Sequence, residues 1–215
     1  MTVLTEPADS VSGAVKNRLI ETAGEIFGEK GFQAATVREI TSQAGVNVAA
    51  VNYYFRDKEE LYAAALRHAV QASVRQDEPF DESLSAEQQL HHFVVERLKH
   101  LLDPARPKWH GQLMAREMSH PTSSLDLVVR ELIQQRIAVF RRIVSAIAGR
   151  KLPEKKLALL LLSVIGQCAY YRQSAPMVER LFPDLMNGSQ VIPEIARHIT
   201  TFSVAGILAC SVRGS

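Results

Sequence analysis

Thr36 to Lys58, TVREITSQAGVNVAAVNYYFRDK, is the stretch whose reading decides the fold. Thr36-Val37-Arg38-Glu39 has the form of a capping box, a hydroxyl for the N3 amide with a carboxylate three residues on. Gly45 stops the helix that opens there. Asn47 caps a second short helix, and Asp57-Lys58-Glu59-Glu60 starts a third. Two short helices about a glycine turn make a helix-turn-helix. The second has to enter a major groove about 12 Å wide, and Val48, Ala49, Ala50 and Val51 are small enough to permit it. Val51 spaced against Ile40, Ala44 and Phe55 forms a mini-core, which leaves Asn47, Val48, Ala49, Asn52 and Tyr53 toward DNA. Asparagine pairs bidentately with adenine, and small apolar groups touch the thymine methyl. Thr36 and Lys58 stand at helix N-termini, where amides and the helix dipole favour a phosphate. Charge is thin: Arg38, Arg56 and Lys58 oppose Glu39 and Asp57. DNA binding here leans on amides and hydroxyls as much as on cations, and a compact three-helix unit without a nucleic-acid role is the bland alternative.

Upstream, residues 1–13 lack apolar periodicity and read as a mobile arm. Val15, Leu19, Ala23, Ile26 and Phe27 recur at helical spacing within 14–30, and Gly31 supplies a left-handed cap on which Phe32 packs back. Downstream, the third helix runs to about Arg75. QDEPFDESL (76–84) is a composition break and the expected domain boundary. Further helices follow: from Ser85 to Leu102, from Pro107 to His120, from Ser123 or Ser124 to Ala148, from Pro153 to Gln173 and from Ser189 to Cys210, with a short turn or helix about Met177 to Leu181. No strand-like alternation occurs. The expected fold is all-α, with a DNA-binding unit and linking helix over 14–75 and a larger helical domain over 85–211.

Composition agrees with a globular chain. Of 215 residues, 47% are hydrophobic and 22% charged, enough for a sizeable core, and the net charge of +2 neither demands nor excludes nucleic acid. The apolar run Leu157 to Val164 is short of the ~20 residues a membrane span needs. MTVLTEPADSVSG has no basic n-region, so no signal peptide is expected. Cys168 and Cys210 match no metal or redox spacing. A reduced, cytoplasmic protein without cofactor, metal or membrane partner is the expectation.

Several residues in combination carry a family resemblance: Phe27 with Gly31-Phe32, Thr36-x-x-x-Ile40, Ala44-Gly45-Val46, and Tyr53-Tyr54-Phe55-x-x-Lys58-Glu59-x-Leu61. Over roughly Val15 to Leu66 the chain resembles the DNA-binding domain of the TetR family of transcriptional regulators. The resemblance implies phosphate contacts from Thr36, Tyr53, Tyr54 and Lys58, and base reading by Val48, Ala49 and Asn52. Arg38 and Asn47 complete the expected DNA-binding set. Asn52 departs from the family's usual Tyr, and Tyr54 from its usual His, so Asn52 is either a base reader or a shorter phosphate contact.

The C-terminal part has two expected tasks. Leu157 to Tyr171 is apolar almost all round, and the last helix sets Ile195, Ile199 and Phe202 beside Ala196, Ser203, Gly206 and Cys210. Such helices are buried on every side, by their own domain or by a partner. A two-fold four-helix interface through Leu157, Leu161, Val164, Ile199, Phe202 and Gly206 is expected, with ordinary core as the alternative. A small-molecule pocket is expected from Trp109, His110, Met114, Glu117, Met118, Phe140, Gln167, Tyr170 and Tyr171, with Arg116 and Arg172 as further polar groups and plain core as the alternative. The segments Trp109 to Leu127 and IGQCAYYR resemble the CecR-like branch of the family, which implies a drug- or xenobiotic-responsive regulator. Glu117-x-x-His120 has metal-ligand spacing, but the second copy a di-metal bundle needs is absent. Glu96/His100 and Glu194/His198 read as surface helix pairs. No nucleophile motif or phosphate loop is present, so no enzymatic activity is expected.

The expected function is a homodimeric repressor that a small-molecule effector releases from a pseudo-palindromic double-stranded operator. An activator or corepressor-dependent regulator of the same fold is the first alternative. A helical bundle that binds a small molecule or metal without reading DNA is the second.

Overall fold

A computed structural model describes residues 8–74, 83–188 and 190–212. Among these, all regular structure is helical: α1 (Ala8–Lys30), α2 (Val37–Gln43), α3 (Ala49–Phe55), α4 (Lys58–Val74), α5 (Ala86–Leu102), α6 (Lys108–Ser119), α7 (Ser123–Val128), α8 (Gln134–Ala148), α9 (Glu154–Gln173), α10 (Ala175–Leu181) and α11 (Val191–Val212). A single π-turn, Val129–Ile133, joins α7 to α8, and a 3-10 turn, Pro183–Leu185, follows α10. The first helix begins at Ala8, so residues 8–13 are helical where an arm was expected. Residues 1–7 of that arm and most of the 76–84 break lie outside the described residues.

The chain forms two compact units, and their division does not follow chain order. The first joins α1–α4 to Arg106–Leu132, hence to α6 and α7; the second holds α5 and α8–α11. Within the segment 85–211, expected as one domain, residues 106–132 group with α1–α4 and the remainder forms the second unit. The reason lies on α1. Gly24 has no side chain, and the Trp109 ring of α6 fills the space that a Cβ there would occupy. Arg116 of α6 then donates from Nε to the Gly28 carbonyl (2.7 Å) and from Nη2 to the Glu29 carbonyl. Those carbonyls end α1, where its dipole is negative and a cation is favoured.

Within the first unit, Leu19, Ala23, Ile26 and Phe27 recur on one face of α1 and are buried with Ile40, Val51, Leu61 and Leu66. Gly31 takes φ +82°, as expected for the cap. Phe27, Phe32 and Tyr62 pack with ring centroids 5.0–6.0 Å apart. In the second unit Leu90, Val94 and Leu98 recur along α5 and face Phe140, Ile143 and Val144 of α8, Val164 of α9 and Ile199 of α11. The Ser85–Gln88 capping box starts α5, and Gly149 (φ +65°) ends α8.

Candidate nucleic-acid interface

The helix-turn-helix is built by local bonds. The Thr36 hydroxyl accepts from the Glu39 amide (3.2 Å), while the Glu39 carboxylate turns to Lys30 instead of back to the cap. Contact with Glu39 also raises the Lys30 pKa. Gly45, at φ +64°, makes the turn. Asn47 Oδ1 accepts from the Ala49 amide (2.9 Å) and starts α3. Val51, Ile40, Ala44 and Phe55 are buried, and Asn47, Val48, Ala49, Asn52 and Tyr53 are exposed, Tyr53 to 80%. The expected inner and outer faces of α3 are thus both present.

The corner after α3 is tighter than its sequence suggests. The Asp57 amide donates to the Phe55 carbonyl (2.8 Å), and Arg56 between them has φ +70° and ψ −51°. This is a γ-turn of the rare, strained kind, costing a non-glycine residue about 1–3 kcal/mol. Asp57 anchors it by accepting the Glu60 amide (2.8 Å), and that bond holds its carboxyl below the usual range. Tyr53 and Tyr54 meet edge to face at 4.8 Å, and the Tyr54 hydroxyl lies 3.2 Å from that of Ser12.

Lys58 is committed inside the fold. Its Nζ donates to the carbonyls of Phe32 (2.9 Å) and Ala35 (3.1 Å) and lies 4.3 Å from the Phe32 ring centroid. An ammonium has three donors, so one remains for a phosphate. Two basic residues outside the expected set share this region. Arg56 projects from the γ-turn with an 84% exposed side chain, and Lys16 lies 5.9 Å from the Phe55 ring centroid. Both line a surface depression of about 450 Å³ with Asn52, Tyr53, Tyr54 and Arg67. Arg56 was visible as a cation beside the Tyr-Tyr-Phe run. Lys16 comes from a different helix and carried no local signal.

Against known proteins, the family model for the tetR family of bacterial regulatory proteins matches residues 19–65. That for the C-terminal domain of the HTH-type transcriptional dual regulator CecR matches residues 86–207. The chain belongs to the TetR family, in its CecR branch. CecR of Shigella flexneri is 29% identical over 181 residues, covering 79% of this chain and 81% of that protein. A transcriptional regulator from Rhodococcus sp. Rha1 has the same fold at TM-score 0.60 and 24% identity, over 91% of this chain and 96% of that one. FadR from Bacillus subtilis, solved in complex with stearoyl-CoA, does so at TM-score 0.62 and 16% identity, over 88% and 98%. TetR-family regulators bind DNA and ligands and are usually dimeric, and the relatives named here are regulators of transcription.

The expected effector residues are divided between the two units. Trp109, His110, Met114, Glu117 and Met118 belong to the first; Phe140, Gln167, Tyr170 and Tyr171 to the second. Glu117 is fully buried and its oxygens are taken, by the Tyr62 hydroxyl (2.5 Å), the Thr122 amide (2.7 Å) and the Thr122 hydroxyl (2.9 Å). It braces α4 and the α6–α7 turn, and burial with the bond to Glu117 raises the Tyr62 pKa. Trp109 donates to Glu21 Oε2 (3.0 Å). His110 is buried, and burial, then Arg106 and His68, lower its pKa to about 4. Met114 is half-buried, and Met118 and Tyr170 are exposed. Phe140 and Tyr171 pack in the core of the second unit, and Gln167 bonds to the Ser163 carbonyl (3.1 Å) one turn back. Glu117 is thus engaged in bracing and Phe140 in the core, while Met118 and Tyr170 lie at the surface of their units.

The expected pairing residues divide too. Leu157, Val164 and Ile199 are buried in their own unit's core, Leu161 and Gly206 are partly buried, and Phe202 is exposed. The outer face of α9 is instead Leu159, Leu162, Gly166 and Tyr170, and that of α11 is Phe202, Ala205 and Leu208. No described helix is long and apolar enough to cross a membrane.

Proposed function

We propose that the chain is a homodimeric repressor in the cytoplasm, released from a pseudo-palindromic operator by a small-molecule effector of drug or xenobiotic type. The observation that carries the DNA-reading part is the outer face of α3. Asn47, Val48, Ala49, Asn52 and Tyr53 are exposed on a short helix whose other side is locked by Val51 and Phe55. Val48, Ala49 and Asn52 read bases. Thr36, Arg38, Tyr53, Tyr54 and Lys58 take phosphates, joined by Arg56. Pairing uses the outer faces of α9 and α11, where Leu159, Leu162 and Phe202 are 59–67% exposed, an unusual amount of apolar surface to leave in water. Two copies place their α3 helices about 34–36 Å apart, one turn of DNA. The effector binds the state in which that spacing is wrong and shifts the population toward it. The complex of FadR with stearoyl-CoA supports a ligand-holding helical domain in this fold.

The test is a titration of the full chain against the DNA flanking its own gene, at several salt concentrations, with and without candidate effectors. Saturable binding to one sequence at two chains per duplex, reversed by an effector, is expected. Binding that is only salt-sensitive and blind to sequence sinks the reading. A second reading is favoured by one finding: the relative CecR is named a dual regulator. On that reading the protein also activates transcription, and a reporter gains transcript when the chain is present.

A further inference from the structure

We propose that Glu21, His68 and His110 form a binding site for one divalent transition-metal ion, with zinc the best match to two imidazoles and a carboxylate. The three come from α1, α4 and α6 of the first unit, and one ligand atom from each lies within 4.8 Å of the other two. His68 Nε2 and Glu21 Oε1 are already 3.0 Å apart. Adjacent ligand atoms on a tetrahedral zinc with ~2.0–2.1 Å bonds stand roughly 3.3 Å apart, so this edge needs little change. The remaining closure is about 1.5 Å at most, within the reach of side-chain rotation.

Two further observations point to a ligand. His110 is 2% exposed and its Nε2 is buried without a hydrogen-bond partner. A buried nitrogen with nothing to bond is costly, and coordination removes that cost. Trp109 Nε1 donates to Glu21 Oε2, the oxygen that does not face His68 (3.0 Å). It thereby orients the carboxylate as outer-shell donors do around metal sites. Two contacts must yield: the proton between His68 Nε2 and Glu21 Oε1 is released to solvent as the ion enters, and the contact of His110 with Arg106 opens. Arg106 Nε reaches His110 Nδ1 at 3.5 Å, and coordination through Nε2 places the imidazole proton on Nδ1, so that long contact opens. Three protein ligands leave a fourth position for water or an exogenous group. No short-range spacing announces this site, because its members lie on three separate helices, and the sequence alone predicted no metal.

The test uses the full chain, stripped with chelator, loaded with cobalt(II) or zinc(II) and desalted. Wild type is expected to retain one ion per chain by elemental analysis and to show the visible absorption of nitrogen- and oxygen-ligated cobalt. Glu21→Gln, His68→Gln and His110→Gln are each expected to lower affinity about tenfold or more, while His198→Gln, on α11, leaves it unchanged. A wild-type protein that desalts free of metal and colour overturns the proposal, whether or not the variants fold. So does retention by folded variants equal to that of wild type.

Discussion

Lys58 is bonded within the fold and is proposed to contact a phosphate as well, and the two roles separate experimentally. Removing its bonds to the Phe32 and Ala35 carbonyls costs about 1.5–3 kcal/mol for each, the range for a hydrogen bond to a charged group. Removing a phosphate contact instead lowers the salt slope of DNA binding by ~1. Lys58→Met is expected to do both, read by urea unfolding and by DNA titration across salt. A loss of stability with an unchanged slope assigns the residue to the fold alone. Arg56 gives the opposite pairing. Arg56→Gly relieves the γ-turn and is expected to raise stability by about 1 kcal/mol while weakening DNA binding at every sequence. Equal or lower stability shows that the turn carries no strain. Cys168 is a pH probe. Burial pushes its thiol up to about 11, so the unfolded chain loses this proton first. Stability from this group is full below about pH 9 and is lost as pH rises toward 11, by up to about 3 kcal/mol. Unfolding of wild type and Cys168→Val between pH 8 and 10.5 is expected to show a flatter pH dependence in the variant.

At the scale of elements, what was legible is what is local. Thr36, Gly45, Asn47 and Asp57 set helix ends through bonds to residues a few positions away, so their spacing announced α2, α3 and α4. The same holds for Ser85 and Gly149. Packing partners distant in sequence were not legible. Glu117 looked like a pocket residue because its partner Tyr62 lies on another helix. Leu157 to Tyr171 hid its inner face because leucines stand on every side of α9. Only the neighbours supplied by α5 and α11 tell Val164 from Leu162. The π-turn at Val129–Ile133 left no mark in a segment that reads as one helix. The α1–α6 contact is testable through Gly24. Alanine gains up to about 1 kcal/mol of helix propensity, yet its Cβ overlaps the Trp109 ring, and overpacking costs about 1–3 kcal/mol. Gly24→Ala is expected to lower stability by about 1–2 kcal/mol in thermal or urea unfolding. A gain shows that the indole moves aside freely.

For the whole molecule, the proposed function makes pairing decisive, because the charge of one DNA-reading head is thin. A head offers Arg38, Arg56 and Lys58, with Lys16 nearby, while Glu39 and Asp57 oppose them. With roughly three phosphates per head, a single copy has a salt slope of about −2.7 and a dimer about −5.4, at about −0.9 for each neutralised phosphate. Joining two heads raises overall affinity by about 10²–10⁴ without any new contact, if the spacing lets both engage. Leu162 and Phe202 are exposed and outside the core of their unit, so a charge at either site leaves the monomer's fold intact. Leu162→Glu with Phe202→Glu is therefore expected to give a folded monomer by circular dichroism and sedimentation. Its DNA affinity should fall at least about 100-fold and its salt slope should halve. A dimer that persists moves the interface elsewhere on the second unit. A monomer that binds the operator as tightly as wild type shows that one head suffices, against the reading of its charge.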